Sequence, residues 1–109
     1  MEAGRELDAK VAEALGWVVK GYWVFNRKDE TVGRLDETLQ FSTTWEGMGV
    51  LVKEAKKQGP HIDIMTWPSD YTAQVFDAGD STKLVATATS KEAPHAVCLA
   101  FLKAKGITI

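Results

Sequence analysis

The hydrophobic period of this chain changes twice, and that change restricts its possible folds more than any single motif does. Apolar residues recur every three or four positions up to Ala55, every second position from Ile62, and every three or four again after Pro94. The first spacing lays a stripe along a helix, whereas the second sends alternate side chains to opposite faces of a strand. Helices and strands must therefore both be present, with the main block of strands between the last two helices.

In the first helical block, Leu7, Val11, Ala14 and Leu15 share one stripe, and Glu6 and Lys10 stand at i, i+4. This predicts a helix over about residues 3–15, ended by Gly16 in a left-handed cap. Trp17 to Phe25 is rich in aromatic and β-branched residues, which predicts a strand with a bulge or break at Gly21. Asn26 to Glu30 is a polar turn, Thr31 to Leu35 a short returning arm, and residues 26–40 as a whole are expected to be a mobile loop.

Thr43 and Glu46 stand three apart before the next periodic segment, the spacing of a reciprocal capping box. The helix that follows is expected to carry Trp45, Met48, Leu51, Val52 and Ala55 toward a core, with Lys53, Lys56 and Lys57 near its C-terminal end. Gly59-Pro60 stops it. Gly47 and Gly49 match no phosphate-binding pattern and imply close approach of another element to this helix.

From His61 the alternation sends Ile62 and Ile64 one way and His61, Asp63, Met65 and Trp67 the other. Turns at Pro68-Ser69-Asp70 and Asp77-Ala78-Gly79-Asp80 divide residues 61–89 into strands at His61, Tyr71–Phe76 and Lys83–Thr89, an antiparallel meander. Pro94 is tolerated only in a first helical turn, so the last helix begins near Ser90 to Ala93. Val97, Ala100, Phe101 and Ala104 form its stripe, while Gly106 and Ile107 supply a Schellman ending. Because both faces of the meander carry apolar residues, the expected fold is α/β of the α+β kind. It is a small, mostly antiparallel sheet sandwiched by three helices in α/β/α layers, forming one domain over 1–109.

Length and composition agree with one core. At 109 residues, folding buries roughly two thirds of the unfolded surface, and 45% hydrophobic with 26% charged residues is an ordinary globular mixture. The longest apolar run, Ala96 to Leu102, falls far short of the roughly 20 residues that span a bilayer. The N-terminus has acidic residues and no apolar signal core, so a cytoplasmic location is expected. The single cysteine, Cys98, lies among apolar neighbours and is read as a core residue. A net charge of −2 disfavours nucleic acid as a partner.

Three stretches together bring a family into view: Gly-Arg-Glu-Leu-Asp-Ala-Lys-Val-Ala-Glu-Ala-Leu-Gly-Trp (4–17), Phe-Ser-Thr-Thr-Trp-Glu (41–46) and Glu-Ala-Pro-His-Ala-Val-Cys-Leu-Ala-Phe-Leu-Lys-Ala (92–104). In this order and spacing they resemble the phage ABA sandwich domain, a family of small proteins of tailed phages and prophages. The resemblance covers nearly the whole chain and departs from the family pattern between Trp17 and Gln40. It implies an α/β/α layered fold and a phage or prophage setting in a bacterial cytoplasm. It carries no reaction, cofactor or catalytic residue to transfer.

Candidate chemistry is sparse. His61, Asp63 and His95 are the only grouping suited to a metal or general base, and nothing in their spacing brings His95 to the other two, so no metal, cofactor or catalytic residue is assigned. Ser42, Thr43 and Thr44 at the start of the second helix could receive an anion on free amides, although helix capping explains the same residues. Four tryptophans are many for this length, and a sheet this small cannot bury them all. Trp23 or Trp67, with Tyr22 or Tyr71 and with Arg27 and Arg34 nearby in sequence, are therefore the expected binding surface. Non-catalytic binding of a host or phage protein is the first functional expectation. The alternative is sequestration of a small nucleotide signal as a counter-defence protein, and an enzyme ranks third because no acid, base and nucleophile are visibly assembled. Exposed tryptophans also make a homo-oligomer plausible.

Overall fold

A computed structural model describes residues 1–108, which form three helices and two three-stranded antiparallel sheets, a small α+β fold. In chain order these are α1 (Arg5–Ala14), β1 (Val18–Lys20), β2 (Trp23–Phe25), β3 (Thr31–Arg34), α2 (Trp45–Gln58), β4 (His61–Thr66), β5 (Tyr71–Phe76), β6 (Leu84–Ser90) and α3 (Ala93–Ala104).

Two helices end as their glycines predict. At α3, Gly106 (φ +74°) and Ile107 donate their amides to Lys103 and Leu102, both at 3.0 Å. At α1, Gly16 (φ +88°) and Trp17 donate to Glu13 and Ala12 at 2.9 and 3.1 Å. Both are Schellman endings, which need the left-handed conformation that only glycine adopts without strain.

The expected strand Trp17–Phe25 is instead two strands. Val18 pairs with Phe25 and Lys20 with Trp23, leaving Gly21-Tyr22 as a two-residue turn. Gly21 has φ +64°, and glycine in the first central position is what a type II′ hairpin turn requires. Asn26 then organises the next turn by accepting the amides of Lys28 and Glu30 at 2.9 and 3.0 Å. Residues 26–40 are thus not structureless: they include β3, and Leu35 and Leu39 insert into the core.

A single cluster of buried side chains unites the molecule. It runs from Leu7 and Val11 of α1 through Val24, Leu35, Leu39 and Phe41 to Leu51, Ile62, Ala73, Val75, Val97 and Phe101. Gly47 is the close approach foreseen for α2, since a Cβ there would collide with the Gln40 carbonyl and stand 2.8 Å from the Phe41 nitrogen. Gly49 meets nothing.

The meander pairs Ile62 with Val75 and Ile64 with Ala73, and then Val75 with Ala86 and Ala73 with Ala88, so these side chains share one face. Helices α2 and α3 pack there. Asp63, Met65, Thr87 and Thr89 on the opposite face are exposed. The expectation that helices cover both faces is therefore corrected. The apolar residues placed on the second face, Met65 and Trp67, are too few to hold a helix, and the hairpin residues that might have joined the sheet form a second sheet with α1 beside it. At the free rim of the meander, the Lys103 ammonium donates to the Thr87 carbonyl at 3.2 Å. No described helix is long and apolar enough to cross a membrane.

Candidate functional site

The turn between β1 and β2 lifts Tyr22 and Trp23 into solvent at 42% and 45% exposure. Arginines from two other elements lie against them. The register of β2 with β3 sets Arg34 opposite Trp23, and its guanidinium sits 4.9 Å from the Trp23 ring centre and 5.7 Å from that of Tyr22. Arg5, at the start of α1, lies 4.2 Å over the Tyr22 ring and donates to the Gly21 carbonyl at 3.3 Å. Arg34 is also fixed from its other side, donating Nε and Nη2 to the two Asp36 oxygens at 2.8 Å each. These bonds hold the Asp36 carboxyl below its ordinary range. The sequence thus anticipated three members of one cluster, Tyr22, Trp23 and Arg34, and missed Arg5, which no local spacing connects to a turn sixteen positions away.

The remaining expected residues lie elsewhere. Trp67 is half exposed and donates its indole N–H to Thr72 at 2.9 Å, on the open face of the meander, where Thr72 and Thr89 bond to one another at 2.9 Å. Tyr71 is on the helix side, its ring edge-on to Trp45 at 6.1 Å. Trp45 was expected in the core, yet at 57% it is the most exposed tryptophan. As the first residue of α2 it precedes the stripe that Met48 and Leu51 continue inward.

At the start of α2 the cap is Thr44 rather than Thr43. Its hydroxyl accepts the Gly47 amide at 2.9 Å and donates to the Gln40 carbonyl at 3.0 Å, while Thr43 and Glu46 are exposed. Ser42 is buried, its amide and hydroxyl donating to the same Asp8 oxygen at 2.8 and 2.6 Å. Burial pushes the Asp8 carboxyl above its ordinary range, and the two Ser42 donors partly oppose that. Ser42 is thus occupied by a carboxylate of the chain itself, which repels a second anion at this helix end.

Arg27 lies on another side of the molecule, in an open cleft of about 690 Å³ whose walls include Trp17, Lys28, Glu13, Glu54 and Lys105. The histidines stay apart. His61 stacks on Phe76 with ring centres 4.9 Å apart and has Asp63 at 3.9 Å, whereas His95 bonds to Ser90 and to the Met1 carbonyl at 2.9 and 2.7 Å. Among the described residues no three histidine, cysteine, aspartate or glutamate side chains gather as a metal site would require. Cys98 is buried in α3, where burial raises its thiol well above the ordinary range and keeps it protonated.

Comparison of the chain with protein-family models, curated proteins and solved structures yields no match to any of them. The site is therefore read from its own geometry.

Proposed function

We propose that this chain is a non-catalytic binding module of phage or prophage origin that engages a host or phage protein through Tyr22, Trp23, Arg5 and Arg34. The observation that carries this reading is that two adjacent large aromatics stand in solvent with both rings flanked by guanidinium groups. Leaving such rings partly wet forgoes on the order of 1 kcal/mol of burial each, and tyrosine, tryptophan and arginine are the residues that dominate binding energy at protein interfaces. The Arg34–Asp36 fork and the II′ turn pre-organise them, so little side-chain entropy remains to be lost on docking. The phage setting rests on the resemblance of residues 4–17, 41–46 and 92–104 to the ABA sandwich family.

Capture of a nucleotide at the start of α2 is less well supported, because Ser42 is bonded to Asp8. Affinity capture from phage-infected cells with the intact chain and with Trp23→Ala tests the proposal. One partner should be retained by the first and reduced at least about tenfold with the second, since losing a central aromatic costs on the order of 2 kcal/mol. Equal recovery with both, or stoichiometric turnover-free binding of a nucleotide instead, overturns it.

A further inference from the structure

The cleft around Arg27 has a charge arrangement that the surface just described does not use. Its walls are the C-terminal ends of all three helices: Glu13 and Ala14 of α1 with Leu15 just after it, Glu54 and Gln58 of α2, and Lys105 beyond α3, closed by the β2–β3 turn. Helix C-termini carry partial negative charge, so three of them converging here favour a cation. On the turn side stand Arg27 and Lys28. The Arg27 guanidinium lies flat over Gly16, with Nη2 2.9 Å from where a side chain at that position would begin. Gly16 is required by its φ of +88°, and the absence of a side chain there leaves room for the Arg27 head group.

Opposite charges line the cleft without neutralising one another. Among the described residues, no ion pair includes Arg27, Lys28, Lys105, Glu13 or Glu30, and Glu54 makes only a loose contact of 3.8 Å with Lys57. An exposed guanidinium with its fork unpaired is suited to a carboxylate, which it binds through two parallel bonds. A nucleotide fits poorly, because its phosphates would meet Glu13, Glu30, Glu54 and the helix ends. A single-charge ligand would satisfy one wall and leave the other bare.

We propose that this cleft binds a short peptide with free ends, its carboxylate on Arg27 and its ammonium group toward Glu13 and Glu54. The volume of about 690 Å³ lies within the roughly 300–1,000 Å³ of ligand sites, and Trp17 supplies an apolar wall for a side chain. Asn26 and Gln58 also line the cleft, their amide nitrogens held by Glu30 and by the Leu15 carbonyl at 3.0 and 2.9 Å, so they shape its walls. The site is separate from the Tyr22–Trp23 surface, so each can fail without the other.

Amide-detected NMR titration of the full chain with trialanine tests this, alongside its N-acetylated form, its C-terminal amide and inorganic phosphate. Trialanine is expected to move the Gly16 amide and the Gln58 side-chain amide at millimolar concentration. Each blocked form should bind at least about tenfold more weakly, the loss of one charge-assisted contact. Arg27→Gln and Glu13→Gln, both at exposed positions, should keep the dispersed spectrum and lose the trialanine shifts. Unmoved Gly16 and Gln58 signals, equal binding of either blocked form, or shifts produced as well by phosphate overturn the proposal.

Discussion

The two sheets have the same strand number and the same antiparallel pairing, yet they are held in different ways. In β4–β6 the strands are long, and Ile62, Ala73, Val75 and their neighbours turn one continuous face onto α2 and α3. The strands β1–β3 are three or four residues each, and a ladder this short is marginal unless something else fixes it. The anchors are Val24 within the sheet and Leu35, Leu39 and Phe41 just after it, all buried in the common core. The long sheet is stabilised by its own repeating face and the short one by single side chains inserted elsewhere. The short one carries two adjacent exposed aromatics, Tyr22 and Trp23, where side chains are released from packing.

The largest effect should follow from removing one anchor. Leu39→Ala is expected to cost about 3 kcal/mol by the usual cavity penalty, seen as a lower denaturation midpoint of the whole chain. If only the β1–β3 signals are lost while β4–β6 unfolds as before, the two sheets do not share one cooperative core and the comparison fails.

An intermediate effect belongs to the joint between α1 and the segment leading into α2. Asp8→Ala leaves the buried Ser42 amide without its acceptor and should cost about 2 kcal/mol. The intact protein should also show a pH signature. Burial raises the folded-state pKa of Asp8 above the ordinary 3.8, so the folded chain holds this proton more tightly than the unfolded chain. The resulting stabilisation is complete below 3.8 and is lost as pH rises through the raised value. Chemical denaturation across that window should show this fall in the intact chain relative to Asp8→Asn, which has no proton to release. Parallel curves would mean that the Ser42 donors cancel the burial.

The smallest effect is expected on the open face of the meander. Met65→Ser should change stability by less than about 0.5 kcal/mol, because Met65 is already 37% exposed. A loss comparable with that of Leu39→Ala would show that this face is covered in solution.

The same contrast explains what could be read from the residues. All three helices and the meander were legible because their periods are long enough to repeat, and the endings at Gly16 and Gly106 because left-handed caps have a local chemical cause. The hairpin at Gly21-Tyr22 was missed: a nine-residue stretch with seven aromatic or β-branched residues read as one strand with a break, and the signal for a reversal was one glycine whose φ is invisible in sequence. Trp45 was assigned inward because its spacing to Met48 fits a stripe, whereas a first helical residue can lean away from it. Layering was misjudged because alternation shows which side chains share a face but not whether anything covers that face. Within the candidate site, Tyr22, Trp23 and Arg34 were identifiable by residue type, but Arg5 reached them only through the tertiary fold.

The single contact of Lys103 with the backbone of β6 has a colloidal consequence. That strand contains neither charge nor proline from Leu84 to Ser90, and such a rim invites a strand from another molecule to zip onto it. An ammonium seated on the Thr87 carbonyl must be stripped of water and displaced before any newcomer can pair there. One lysine on a neighbouring helix therefore opposes fibre-like growth at the rim, and neutralising it by acetylation would remove that protection while leaving the core intact.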